Sequence, residues 1–228
     1  MRVAIGYRCP MSLLDSAVRA ASSTGGQVLR AATTAIAARP AAKPLHPEGS
    51  VVAGELRRFC TEARSGAAWL DRPGQDRVLV RQSRAVGLPA PVPDVFGLAL
   101  RVPTDGGGHG DLLFASTGLG RLTRFTLTPA LSPYARPMTT LLPCRAPAGG
   151  LLLSAVFHDE RTVDLAWAVG SSTWRPFAQM VLDQEPVDEA DALISFDPVE
   201  NVLPGLETYD WVRRLREPAY RAARGSRR

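Results

Sequence analysis

The sequence predicts a mostly-β α+β fold, an antiparallel barrel or sandwich with helical segments at its two ends. Three observations carry this. After Pro40 the chain breaks into short runs rich in Val, Leu and Ala, separated by Gly and Pro, which is the texture of short strands joined by tight turns. Before Pro40 it is Ala-rich and lacks that punctuation. Beyond Pro204-Gly205 it becomes a basic stretch with helical character.

Taken in order, Ser12 to Arg39 reads SLLDSAVRAASSTGGQVLRAATTAIAAR, with Ser12 and Asp15 placed as N-caps and Gly25-Gly26 as a break. Two short helices forming an arm satisfy it. Strands are expected at Ser50–Phe59, Arg77–Ser83, Gly97–Val102, Asp111–Ala115, Leu151–Phe157 and Thr162–Val169. Thr104-Asp105-Gly106-Gly107-Gly108 supplies a turn between the third and fourth. Between Leu122 and Pro143 the prolines argue against a long helix. From Val181 the chain turns acidic, then crosses Phe196-Asp197-Pro198 and Pro204-Gly205 into a last helix of about 14 residues. A single domain results: an arm over 1–42, a β core over 43–175, and a wrapping segment with its helix over 176–228.

Composition narrows the function classes. The chain has 228 residues, 45% of them hydrophobic, and a formal net charge of +5. Its arginines are scattered and concentrate only in RRLREPAYRAARGSRR at the end, which reads as a solvated basic helix and not as a nucleic-acid surface. Cys9, Cys60 and Cys144 cannot all pair and lack metal-site spacing, which favours a reducing compartment. The N-terminus lacks signal-peptide character and no run of eighteen apolar residues occurs, so a cytoplasmic protein without stable membrane insertion is expected.

Several constellations are set aside. Gly106 to Gly110, GGGHG, lacks the Lys-Ser/Thr ending of a phosphate loop and reads as a hairpin turn. His158-Asp159-Glu160 has no second His at ligand spacing, and Asp188, Glu189 and Asp191 read as a solvated loop. Trp167, Trp174 and Phe177 either fill the core or cover an apolar cofactor.

Two distant groups of residues remain. The first is His46-Pro47-Glu48-Gly49 with Gly54-Glu55-Leu56, then Val80-Arg81-Gln82-Ser83, then PDVFGLALRVPTDGGGHGDLL, in which Asp94, Gly97, Ala99, Thr104, Asp111 and Leu112 keep one order. The second is Phe196-Asp197-Pro198, Asn201, Pro204-Gly205, Glu207, Asp210, Arg216 and Tyr220. Together these blocks, over roughly 43–224, resemble the haem catalases. The resemblance implies a catalase-like antiparallel β-barrel with an N-terminal helical arm and a C-terminal haem-ligand helix, holding one haem b.

The resemblance also implies roles. His46 is the distal acid-base, an imidazole being suited to proton transfer at neutral pH. Ser83 orients its ring. Tyr220 binds the haem iron through its phenolate, which favours the ferric and higher oxidation states. Arg216, four residues earlier, keeps the phenolate ionised, although Pro218 interrupts the helix between them. Arg81 by its motif, and Lys43 where catalases use another arginine, are the cations for the haem propionates; by spacing alone, Arg224 and Arg227 after Tyr220 also come within reach of the porphyrin edge.

Departures from the family shape the expected chemistry. Catalases are much longer, and their Phe-rich segment after the Asp111 strand is missing here. Aligning DLLFAST puts Ser116 where catalases carry an Asn beside the iron, leaving one hydroxyl in place of an amide. Dismutation or reduction of a peroxide is therefore expected alongside two alternatives: peroxidase or isomerase action on an organic, fatty-acid hydroperoxide, and a non-catalytic haem-binding or degenerate barrel. A homo-oligomer is compatible with any of them.

Overall fold

The computed structural model describes residues 49–85, 87, 91–187 and 194–216. The expected N-terminal arm, together with Lys43, His46, Tyr220 and Arg224, lies outside these residues.

Antiparallel pairing runs from β1 (Gly49–Arg58) to β2 (Gly74–Arg84), β3 (Phe96–Pro103) and β4 (His109–Ser116), then to the short β5 (Met138–Thr139). After β6 (Cys144–Ala146) the chain forms β7 (Gly149–Phe157), β8 (Thr162–Val169) and β9 (Arg175–Pro186). β5 pairs with β7, β7 with β8, β8 with β9, and β9 returns to β1. The ring of β1, β2, β3, β4, β5, β7, β8 and β9 is thus a closed antiparallel barrel, which removes the open edges that a sheet of this size would expose. Outside it, β6 lies against β7, and β10 (Glu207–Thr208) against β6.

Strand alternation fills the interior. Val80, Leu98, Leu100, Leu153, Leu165, Trp167 and Met180 are all no more than 1% exposed and belong to one cluster. Trp167 and Phe177 are therefore core residues. Trp174 instead donates its indole N–H to the Leu119 carbonyl and stacks on Arg124 at 4.4 Å. A single helical turn, α1 (Ala68–Asp71), packs on the core, its Trp69 and Leu70 buried in the same cluster and Trp69 edge-on to Phe177. The Asp71 carboxylate ties this turn to its loop, accepting from the Ser65 hydroxyl and from the N–H groups of Ser65 and Gly66 at 2.8 Å each.

The expected strands are present, each with ends displaced by at most a few residues. Two differences are larger. β9, at twelve residues, is not among the strands the sequence suggested, and it carries the barrel to Pro186, past the expected core boundary at 175. Its alternation is present in the sequence, with Met180 and Leu182 buried against exposed Gln179 and Val181, but the charges from Asp183 onward disguise it. Between Leu122 and Pro143 the structure has only a 3₁₀ turn (Thr123–Phe125) and β5, as the prolines there require.

The glycine run Gly106 to Gly108 is the β3–β4 hairpin turn, with Gly107 at φ 77°. Its amide donates to the Thr104 carbonyl. At the β7–β8 turn the Asp159 carboxylate accepts from the Arg161 and Thr162 amides at 2.7 Å each, and these bonds hold it below the usual carboxylate range. The His158 ring is hydrogen-bonded to the Asp164 carboxylate at 2.5 Å on the surface. Among the described residues no group of three His, Cys, Asp or Glu is placed to hold a metal ion, and no helix is long and apolar enough to cross a membrane.

Candidate functional site

The site is best built from the two faces of β2, β3 and β4. Val80, Leu98, Leu100, Leu112 and Phe114 point into the barrel. Alternation then turns Arg81, Ser83, Gly97, Ala99, Leu113 and Ala115 to the outer face. The register sets out one row across this face: Gly49 opposite Ser83, Ser83 opposite Gly97, Gly97 opposite Ala115, and Ala115 opposite Thr139. Every side chain in the row is small, so the sheet is shallow there. Arg81 is 8% exposed and lies beside the first residue of β1: a Cβ added at Gly49 would fall 2.5 Å from the Arg81 guanidinium. Glycine is the residue that lets this cation lie flat against the strand.

Of the expected site residues, catalytic Ser83 and propionate-binding Arg81 share this outer face and Ser116 does not. The Ser116 side chain is on the opposite face of β4, 1% exposed. Its hydroxyl accepts from the Phe96 amide at 3.1 Å and donates to the Thr128 carbonyl at 2.8 Å, so it uses its one proton on the backbone. Counting along the strand from Asp111, the outward positions are Leu113 and Ala115, and Ala115 is the residue in the row with Ser83. Ser116→Ala is expected to cost about 1–3 kcal/mol in chemical denaturation, because it leaves the buried Phe96 amide unpaired.

A second group of residues fastens the C-terminal block to the same barrel. Arg101 and Asp111 stand directly opposite each other in the β3–β4 hairpin. They form a bidentate pair, Nε to Oδ1 and a terminal nitrogen to Oδ2, both at 2.8 Å. The Asp111 side chain is 0% exposed and its Oδ2 also accepts from the Asp197 amide and the Asn201 side-chain amide, each at 2.8 Å. The Asp111 amide in turn donates to the Asn201 carbonyl at 2.9 Å. Phe196 lies under the Arg101 guanidinium at 5.1 Å. One carboxylate therefore holds Phe196-Asp197-Pro198 and Asn201 against β4.

From this anchor the chain is guided by close contacts. Leu203 is buried over Gly110, where an added Cβ would fall 2.5 Å from it. Gly205 takes φ 83° and passes within 2.8 Å of Ala67, measured from the same added atom, so a side chain is excluded by both conformation and space. β10 follows, with Glu207 ion-paired to Arg145, and then α2, the helical residues 210–216, seated by buried Val212.

Arg216, half-buried and the last described residue of α2, donates to the Thr140 carbonyl at 3.3 Å. Leu113, Thr140, Cys144, Val212 and Arg216 line a small pocket of about 30 Å³. Burial pushes the Cys144 thiol up, with nearby Arg216 acting the other way, so this cysteine is held as a neutral thiol. Leu113 connects the two groups of residues: it faces the Arg216 pocket, and the next outward residue on its strand, Ala115, belongs to the row containing Ser83. Ser83 lies two interstrand spacings from Ala115, roughly 10 Å.

Arg101 as a fastening residue was not singled out from the sequence, and Asp111 entered only as a motif position. The available signal was their symmetric placement about the Thr104 to Gly108 turn, which makes them cross-strand neighbours in any tight hairpin.

No family model and no curated protein matches the sequence. Solved structures do match it. A bacterial catalase aligns with a TM-score of 0.58 and 14% identity, covering 80% of this chain and 56% of that one. A fungal catalase aligns with a TM-score of 0.58 and 12% identity over 80% and 58%. Catalase A from Saccharomyces cerevisiae aligns with a TM-score of 0.58 and 11% identity over 80% and 60%. The chain has a catalase-like fold, and it spans between 56% and 60% of the length of these catalases.

Proposed function

We propose that the chain binds haem b against the outer face of β1 to β5 and acts on peroxides. The observation that supports this is convergence. Arg81 and Ser83, from the N-terminal motif, lie on the outer side of β2, and Arg216, from the C-terminal one, lines a pocket with Leu113 of β4, two strands further round, with the Asp111 anchor tying the two parts of the sequence together. The donor chemistry suits the group. A nearly buried guanidinium at Arg81 matches a propionate, and the row of Gly49, Ser83, Gly97 and Ala115 carries only small side chains.

In this reading Tyr220 is the iron ligand, and Arg216, four residues earlier in the sequence, favours its ionised form. Lys43 and Arg224 join Arg81 as propionate partners. Bound haem would supply the redox-active iron at which the O–O bond is broken. His46 takes the proton from the incoming peroxide oxygen and delivers it to the departing one, and Ser83 accepts from or donates to the other ring nitrogen to fix its orientation. Only two residues, Pro47 and Glu48, separate His46 from Gly49, which is registered opposite Ser83. Free thiols at Cys60 and Cys144 accord with a reducing, cytoplasmic setting.

Ala115 favours a second reading of the substrate. With Ser116 turned into the barrel and a methyl group in the row beside Ser83, no amide or hydroxyl at this point of β4 holds a small peroxide, and the space suits an organic substituent. Reduction or rearrangement of an organic hydroperoxide is then preferred over dismutation of hydrogen peroxide.

The test is spectroscopic. Protein supplied with haem is expected to show a high-spin ferric tyrosinate absorption spectrum, and Tyr220→Phe is expected to lose it; a spectrum unchanged by the substitution rejects Tyr220 as ligand. Oxygen release from hydrogen peroxide separates dismutation from peroxidase action. Protein that takes up no haem leaves the non-catalytic barrel as the answer.

A further inference from the structure

The β4–β5 connection, residues 117–137, carries apolar side chains on its outside that nothing in the barrel explains. Leu122 is 80% exposed, Leu131 70%, Leu127 50% and Phe125 42%. Val92, 43% exposed, belongs to the β2–β3 connection, which is joined to this one by paired backbone bonds between Asp94 and Ala130. Single exposed leucines are ordinary; five large apolar side chains on two bonded connections are not.

The exposure is built in by a well-fastened backbone. Arg124 is 3% exposed and its guanidinium donates to the carbonyls of Leu119, Gly120, Gly170 and Ser172. Burial lowers its pKa, with Arg121 adding to the effect. The amides of Gly118, Phe125, Thr126 and Thr128 are all bonded to carbonyls within the protein. The connection thus presents apolar tips while keeping these polar backbone groups satisfied, which is what entry into a lipid headgroup region requires.

Charge selects the partner. Residues 112–158 contain no Asp or Glu, and Arg121 and Arg136, both exposed, flank the apolar tips. Asp94 is 3% exposed and turned inward, accepting from the Gly87 and Val95 amides. Glu160 lies near Tyr134 of this connection. We infer that this connection docks the protein on an anionic lipid surface. Leu122, Phe125, Leu127 and Leu131 enter the boundary between headgroups and acyl chains, and Arg121 and Arg136 meet the lipid phosphates. This holds whether or not haem is bound.

The experiment is flotation of the full chain with phosphatidylcholine vesicles, with and without phosphatidylglycerol. Binding is expected only with the anionic lipid and is expected to weaken as salt rises. Leu122→Asp with Leu131→Asp is expected to reduce it about ten-fold or more, with an unchanged melting temperature because both positions are exposed. Failure to bind anionic vesicles at low salt overturns the inference. So does binding that these substitutions leave intact, the result if the basic C-terminal stretch does the binding. A concentration-dependent dimer abolished by the same substitutions, without vesicle binding, assigns the patch to a second copy instead.

Discussion

Asp111→Ala is expected to destabilise the protein by about 3–5 kcal/mol, a large part of the roughly 5–15 kcal/mol that holds an ordinary domain folded. The carboxylate is fully buried and is the common acceptor for Arg101, the Asp197 amide and the Asn201 side chain. Removing it leaves a guanidinium 20% exposed without its partner and two donors unpaired. The loss has a direction as well as a size. Phe196, Asp197 and Asn201 hold the segment leading to α2, so the C-terminal residues should detach before the barrel melts. Denaturant titration should show a lowered midpoint, and limited proteolysis should cut near 195–205 first. A double change, Arg101→Met with Asp111→Leu, is expected to be less damaging than Asp111→Ala alone, because it removes both charges and returns apolar volume. A loss under about 1 kcal/mol for Asp111→Ala would mean that the carboxylate is not the anchor.

The same anchor explains what could be read beforehand and what could not. Arg101 and Asp111 are ten residues apart across a glycine turn, so their pairing follows from local hairpin geometry. Their remaining partners, Asp197 and Asn201, are 86 and 90 residues further along, and no local pattern announces such a contact. The strands with clean alternation, such as Thr162–Val169, were legible because burial on one face has a period of two. β9 was not, since its outward positions change from Gln179 and Val181 to Asp183 and Glu185, and this acidic end looks like a loop until the barrel shows which face is wet.

Ser116 and Ala115 show a different limit. Motif spacing alone aligned Ser116 with a polar position, yet in a strand a shift of one residue exchanges the two faces completely. The parity set by Asp111, whose carboxylate is outward toward the C-terminal segment, carries through Leu113 to Ala115. Ser116 consequently bonds the Phe96 amide across the β3–β4 ladder, where a hydroxyl stabilises the fold and cannot meet a substrate on the Ser83 face. Sequence order placed the right blocks together; facing direction required knowing which neighbours were already inside.

His46→Ala should lower peroxide turnover by about 100-fold or more while leaving the absorption spectrum of the haem-loaded protein in place, since general acid-base catalysis commonly contributes 10²–10⁴-fold. The separation of the two readouts is the point of the experiment. Tyr220→Phe is expected to remove spectrum and turnover together; His46→Ala should remove turnover alone. Ser83→Ala, acting through the imidazole, should cost less, about ten-fold, because a positioning partner only biases the ring. Ser116→Ala should lower stability with little change in the ratio of hydrogen peroxide to organic hydroperoxide turnover, its hydroxyl being spent on Thr128. Ala115→Asn should instead move that ratio toward hydrogen peroxide, since it places an amide in the row beside Ser83. Should His46→Ala keep turnover within about threefold of the parent, proton transfer through this residue does not limit the reaction, and the proposed acid-base role of His46 fails.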